Sequence, residues 1–331
     1  MTPRAPLDCL YVGFLHDYGR AERDVAHEWL NVYTGLCEHP RLVTRAFYPD
    51  VETRLHGADG MRERFRALAR DKPPELLVHL PYTAEYDLPR DAMEALLRRG
   101  VATVEWDADS SWRFDEFIRP RIGAYAMFVT THAASVARYE AAGARVHVSQ
   151  WAVSSRYAGF APDVERPVVA SFVGQRHGDR REVIRALRRA GVPVETWGAK
   201  WRKGLFPDRR DHGYVPYKDA LAAMGRSRVS LNLANASVDR GGNQIKGRHF
   251  EIPALGACQV TTPADGLEAF YEPGREVVVA EPGEALADAV LALMRDRDRA
   301  RAIARAGFER TWREHTWERR IDALLRALGL G

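Results

Sequence analysis

Cysteine and lysine are both scarce in this chain. Its 331 residues include three cysteines, Cys9, Cys37 and Cys258, far apart and in no Cys-x-x-Cys pair. That spacing suggests neither a zinc knuckle nor a disulfide framework, and two of the three lie in apolar runs that suit a small core residue. Lysine stands only at positions 72, 200, 203, 218 and 246, among 49 basic residues. The others are arginine, whose planar fork suits bidentate contacts to phosphate or carboxylate, although a compositional bias gives the same excess. An excess of one charge sign is also missing, since 45 acidic side chains leave a net +4. That is too weak for a nucleic-acid footprint, and compatible at most with loose peripheral contact with an anionic membrane. No apolar run approaches the roughly 20 residues that cross a bilayer. The opening MTPRAPLDCLYVGF lacks the apolar stretch of a signal peptide, so a cytoplasmic protein is expected. No GxGxxG follows a strand, and there is no Walker loop, HExxH or GxSxG. The fingerprints of dinucleotide enzymes, P-loop NTPases, zinc proteases and serine hydrolases are therefore missing.

What is present is alternation. DCLYVGF, RLVTRAFY, ELLVHLP, VATVEW, YAMFVTT and VHVSQWA read as strands, separated by amphipathic stretches such as ERDVAHEWLNVYTGLCEH, DAMEALLRRG and AASVARYEAAG. Continuous apolar strands with helical crossovers predict a parallel sheet covered on both faces. SSRYAGFAPDVERP carries turn formers and two prolines and reads as an interdomain linker. The pattern restarts with VVASFVG, VETWG, VSLNLA, CQVTT and EVVVA, and the last 45 or so residues read as helix. Two doubly wound α/β domains are expected, with chemistry at the carboxyl ends of the strands.

Two stretches of the second half suit an anion. In SFVGQRHGDRREVIRALRRAG, a strand ends at Val173 and a helix begins near Asp179. Gly174 allows close backbone approach, and Arg176 and Arg180 stand beside the helix start. Arg180 in the first turn opposes the helix dipole, which is easier to understand if an anion is also there. Farther on, NLANASVDRGGNQIKGRHFEIPALGACQVTT passes through a polar loop into a helix. Lys246 and Arg248 could reach phosphate oxygens. Glu251 lies in an apolar patch, where a carboxylate costs several kcal/mol unless partnered. Ribose hydroxyls would serve, and so would an internal ion pair to Arg248 or Lys246.

The ordered set IKGRHFE, ALGA, a strand with an acidic loop, F-x-x-G-R-E and a final H-T-x-E-R-R resembles the C-terminal domain of group 1 glycosyltransferases. It is most similar to their spore-maturation (CgeB-type) branch, over about residues 168 to 325, with weaker likeness through WDADSSWRF and AMFVTTHAASVARYEAAG. The resemblance implies a GT-B fold, in which two Rossmann-like doubly wound domains face a cleft. The N-terminal acceptor domain would span residues 1–155 and the C-terminal nucleotide-sugar donor domain 165–315, with a helix over 316–331 crossing back to the first. It implies a hexosyltransferase with a nucleotide-diphosphate sugar as co-substrate, no other cofactor and no metal. Glu251 would hold the nucleotide ribose, Gly174, Arg176 and Arg180 would form the first donor loop, and Lys246 and Arg248 would lie near the diphosphate. Many group 1 enzymes carry a second glutamate eight residues before the ribose glutamate. Here that position is Asn243, which can still hydrogen-bond a sugar hydroxyl but carries no charge, so retention of anomeric configuration is not implied. The acceptor, whether glycan, protein or small molecule, is not identified.

The first half offers VEWDADSSWRF, in which Asp107 and Asp109 follow a strand. The pair suits a divalent metal, a cap on the helix beginning near Ser110, or a general base on an acceptor hydroxyl. His16, beside Asp17 in the loop after the first strand, is a second candidate base. Trp112 and Trp151 suit either sugar stacking or the core, with the core favoured. Two rival readings are a nucleotide-sugar epimerase or hydrolase on the same fold, and a non-catalytic two-domain protein that closes on a nucleotide or sugar.

Overall fold

The computed structural model describes residues 5–202, 208–234 and 242–331. It divides into two compact units, Met1–Ser154 with Trp317–Gly331, and Ser155–Thr316.

Unit 1 contains β1 (Leu7–Val12), β2 (Leu42–Phe47), β3 (Leu76–His79), β4 (Ala102–Asp107), β5 (Met127–Thr130) and β6 (Val146–Val148). All pair in parallel, in the order β2-β1-β3-β4-β5-β6. Between them run α1 (Thr34–Glu38, after a π-helical turn Trp29–Tyr33), α2 (Pro49–Asp71), α3 (Arg90–Arg98), α4 (Ser110–Arg113) and α5 (Val136–Ala141). The central strands β1, β3, β4 and β5 are covered on both sides, while the edge strands β2 and β6 leave Val43 and Val148 exposed. Leu10, Val12, Leu77 and Phe128, for example, bury against Met61, Phe65 and Leu96. The longest helix here, α2, is rich in charge and does not stand out in the sequence. Met61, Phe65 and Ala69, spaced by four, form its buried stripe.

Unit 2 contains β7 (Val168–Val173), β8 (Val194–Trp197), β9 (Asp211–Gly213), β10 (Ser227–Asn232), β11 (Cys258–Thr261) and β12 (Val278–Val279), with α6 (Arg180–Arg189), α7 (Tyr217–Gly225), α8 (Arg248–Ala254), α9 (Glu284–Arg295) and α10 (Arg297–Glu314). The parallel order is β12-β11-β10-β7-β8-β9, the dinucleotide-fold order with its reversal between β7 and β10. Strand β9 was not foreseen, because Asp-His-Gly offers no apolar signal. Pairing at the sheet edge makes it a strand, and the Thr196 hydroxyl donates to Asp211 Oδ1 at 2.7 Å.

The stretch read as a linker is instead part of unit 2. Tyr157 is fully buried, and Arg166 is 7% exposed. Phe160 lies so close to Gly225 that a Cβ there would fall 2.4 Å from its ring. Turn residues end a strand or helix without freeing the chain, and here the turn is pinned by packing.

The final helix, α11 (Trp317–Ala327), belongs to unit 1. Trp317 N donates to Val153 O at 2.9 Å. Its indole stands 5.6 Å from that of Trp106 and fills the space above Gly35, where a Cβ would fall 2.6 Å from Trp317 Cβ. His39 Nε2 and Asp322 Oδ1, 3.2 Å apart, tie the helix down further.

Candidate functional site

In each sheet the strand order reverses once, between β1 and β3 in unit 1 and between β7 and β10 in unit 2. Connections leave such neighbours in opposite directions, so a crevice opens beyond their carboxyl ends.

In unit 2 the loop after β7 is drawn onto the loop after β8. Gly174 N donates to Trp197 O at 2.8 Å and Arg176 N to Ala199 O at 3.0 Å, and Trp201 Nε1 donates to Gly174 O at 2.7 Å. This approach requires Gly198, whose φ is +135° and where a Cβ would sit 2.2 Å from Gly174 O. The next turn holds Lys200 at a positive φ of 71°.

Arg180, the first residue of α6, is 7% exposed. Its guanidinium donates to Gln175 O at 3.1 Å and to Leu233 O at 3.3 Å, so it bridges the ends of β7 and β10, and it lies 5.5 Å from the centre of the Phe172 ring. Burial pulls its pKa down to about 10, Asp179 opposing and Arg248 assisting. Its acceptors are carbonyls, so a buried cation at a helix N-terminus is solvated by dipoles alone. Burial likewise lowers His177 to about 4, assisted by Arg180, Lys246 and Lys200, leaving it neutral at pH 7 inside a positive field. Arg180 Nε, His177 Nδ1 and Asn232 Nδ2 are buried without a partner among the described residues. Buried polar atoms are normally satisfied, so three orphans at one strand reversal mark a place built for a polar ligand.

Glu251, on α8, is 1% exposed. One oxygen accepts from the hydroxyls of Tyr157, at 3.1 Å, and Tyr217. The other accepts from Arg248, whose Nε donates to Val173 O at 3.3 Å. The internal ion pair to Arg248 is thus present, and it holds the guanidinium at the end of β7. Lys246 Nζ lies 3.4 Å from Gln244 Oε1. His249 Nδ1 accepts from Lys246 N at 2.9 Å, fixing the entry to α8. Asn243 is exposed, and its carbonyl accepts from Asp265 N at 3.0 Å. Most of the polar loop before it, residues 235–241, lies outside the described residues, as does Lys203. Gly174, Arg180 and Arg248 are therefore brought together at the reversal. Arg176 sits in the same loop, and its side chain makes no hydrogen bond or ion pair with any described residue. His177, Lys200 and Asn232 were missed. His177 lies in that same loop and was open to reading, whereas Lys200 is brought there only through the pairing of β7 with β8, which no local pattern announces.

In unit 1, His16 follows β1. Asp50, from the first turn of α2, accepts from Leu15 N and His16 N at 3.0 Å each and faces His16 Nδ1 at 3.1 Å. The Asp50 side chain is fully buried and the His16 ring 19% exposed. With Nδ1–H donating to the carboxylate, Nε2 is the nitrogen left to accept a proton. Asp50 was not foreseen as a partner. The signal was there: β1 and β2 are neighbours, so the residue just after β2 meets the loop after β1.

Asp107 and Asp109 are not equivalent. Asp107 ends β4, is 3% exposed, accepts from Asp109 N at 2.7 Å and stands 3.2 Å from Arg113 Nε as an ion pair. It shapes the turn into α4, whereas the Asp109 side chain makes no cap on that helix. Among the described residues no three His, Cys, Asp or Glu side chains gather as a metal site would require. Trp151 is buried against His27, 4.9 Å between ring centres. Trp112, expected in the core, is 40% exposed, because the π-helical turn after α4 buries Phe114 and Ile118 instead.

Burial raises the Asp107 pKa to about 6, with Arg113 opposing and Asp109 adding to it. A carboxyl whose folded pKa is raised stabilises the fold below its unfolded pKa, and that contribution is lost as pH rises through about 6. The expected loss is about 3 kcal/mol at most. Urea denaturation of wild type and Asp107→Asn between pH 4 and 8 checks it: the wild type should fall relative to the variant as pH rises, and parallel curves would refute the assignment.

Chemically, unit 2 offers fixed positive charge and orphaned donors for an anion, and unit 1 offers an oriented imidazole. The fold that carries them is GT-B, two α/β units each built on a six-stranded parallel sheet. Residues 176–326 match the family described as glycosyl transferase-like. That segment contains Arg180, Lys246, Arg248 and Glu251. Solved structures of the same fold include HepE from Anabaena in complex with UDP-glucose, with 12% identity, TM-score 0.61, and coverage of 97% of this chain and 100% of that one. An alpha-glucosyltransferase in complex with UDP-glucose and DNA containing an abasic site gives 10%, 0.66, 98% and 100%. A UDP-N-acetylglucosamine 2-epimerase gives 12%, 0.55, 98% and 98%. No curated protein matches the chain.

Proposed function

We propose that this protein is a glycosyltransferase that moves a hexose from a nucleotide-diphosphate sugar to an acceptor hydroxyl or amine, without a metal, and that it is kin to the spore-maturation branch. The observation that carries this reading is the buried, carboxylate-free guanidinium of Arg180 at the β7/β10 reversal, amid orphaned donors. The fold and the glycosyl transferase-like match support it.

In this reading unit 2 holds the donor. Arg176, Arg180, Lys246 and Arg248 take the charge that grows on the diphosphate as its bond to the anomeric carbon breaks, a preorganised electrostatic role. Glu251 keeps Arg248 in place and offers its carboxylate edge to the ribose, and Asn243 meets the donor sugar. Unit 1 serves the acceptor. His16 Nε2 takes the acceptor proton as the new bond forms, and Asp50 fixes the ring. Asp109 is the reserve base. Asp107, tied to Arg113, shapes the loop that carries Asp109. Glycan, protein and small-molecule acceptors all fit, and we read the protein as cytoplasmic. No helix among the described residues is long and apolar enough to cross a membrane.

Calorimetry with UDP, GDP, ADP and dTDP tests the donor site. At least one should bind, and Glu251→Ala should weaken it by about 1 to 3 kcal/mol through lost hydrogen bonds. Transfer should persist in excess chelator, whereas complete loss restored by manganese would return the metal reading of Asp107 and Asp109. An epimerase or hydrolase would turn over donor alone, and a binding protein would not turn it over at all.

A further inference from the structure

Unit 2 has a cavity at the amino end of its sheet, opposite the reversal that bears Arg180. It opens where β7 and β10 begin, beside Val169 and Arg228, and has a volume of about 210 Å³. Val169, Leu293 and Met294 supply an apolar part. The charged lining is four arginines, Arg166, Arg228, Arg297 and Arg301, against one carboxylate, Glu165.

The arginines are not neutralised from within. Arg166 is buried, and its guanidinium donates only to carbonyls, those of Gly225, Ala161 at 2.6 Å and Leu255 at 3.1 Å. Arg228 Nε is buried with no partner among the described residues. Arg228 and Arg297 both line the cavity, and burial lowers the Arg228 pKa, the positive charge of Arg297 lowering it further. Arg301 has one carboxylate near, Asp298 at 3.6 Å, whose side chain is almost wholly in solvent. Like charges held together beside an apolar wall are stabilised by an anion that carries an apolar body.

We propose that this cavity binds a small organic oxyanion, a phosphate or carboxylate on a short apolar stem. It lies at the amino ends of the strands, away from the reversal that bears Arg180. Gly256, just beyond α8, lines it, and the preceding Leu255 O accepts from Arg166.

The test uses phenyl phosphate and benzoate as two sources of the oxyanion, with benzyl alcohol as the neutral control. Calorimetry is done in the Arg176→Gln/Lys246→Gln protein, which weakens anion binding at the reversal. One saturable site should appear for at least one anion and none for the alcohol. Adding Arg228→Gln, at a half-buried position, and Arg297→Gln, at an exposed one, should weaken it by about tenfold or more, as expected for lost charge-assisted hydrogen bonds. Circular dichroism should show the fold unchanged. Absence of saturable binding, equal binding of the alcohol, or indifference to the second pair of substitutions overturns the proposal. Nucleotide binding is measured separately, so failure here and failure of the donor reading are told apart.

Discussion

Arg180→Gln should reduce transfer by about 10²- to 10³-fold, the usual cost of removing one preorganised charge donor. Stability should hardly change. The substitution removes two hydrogen bonds, to Gln175 O and Leu233 O, each worth about 0.5 to 1.5 kcal/mol. It also removes a guanidinium that is costly to keep desolvated, by several kcal/mol for an unpaired ion. These two terms oppose each other. A merely structural arginine would give the reverse pattern, a lower melting point with kcat intact. Single-turnover rates, nucleotide calorimetry and urea denaturation on the same variant decide between them, and an unaltered rate removes Arg180 from the reaction.

The second large effect is expected at the His16–Asp50 pair. His16→Ala should lower kcat by about 10²- to 10⁴-fold, the range for a lost general base, while nucleotide affinity stays as it was. Asp50→Asn should fall in the same range, although Asp50 never meets substrate and acts as a positioning residue. Its two oxygens serve three donors, from Leu15 N, His16 N and His16 Nδ1. An amide turns one of those acceptors into a donor, and the ring is then free to settle in the other tautomer. The double variant should be little worse than either single, since the two act as a unit. If both singles keep wild-type kcat, the base lies elsewhere, with Asp109 next in line.

Much of this was open to reading before the fold was known, for a local reason. Runs such as DCLYV and VVASFV are apolar at every position because parallel strands are covered on both faces. Gly174, Arg176 and Arg180 could be singled out because a strand, a glycine and a helix start follow one another within a few residues. Glu251 stood out as a carboxylate in an apolar patch, with Arg248 one turn away as the alternative partner.

The rest depended on neighbours that sequence distance conceals. Asp-His-Gly of β9 is a strand only because an edge accepts it. SSRYAGFAPDVERP looks like a connector until Tyr157 is found against Glu251. Trp112 is placed outside because Phe114 and Ile118 take the interior. Asp50 reaches His16, and Lys200 reaches His177, through the pairing of strands whose partners lie 35 and 24 residues apart in the chain. Composition and periodicity determined that this chain makes two layered α/β units with basic loops at strand ends. Which cations were stripped of counter-ions, and which histidine acquired a carboxylate, was decided by strand order, because burial and pairing are properties of the assembled sheet.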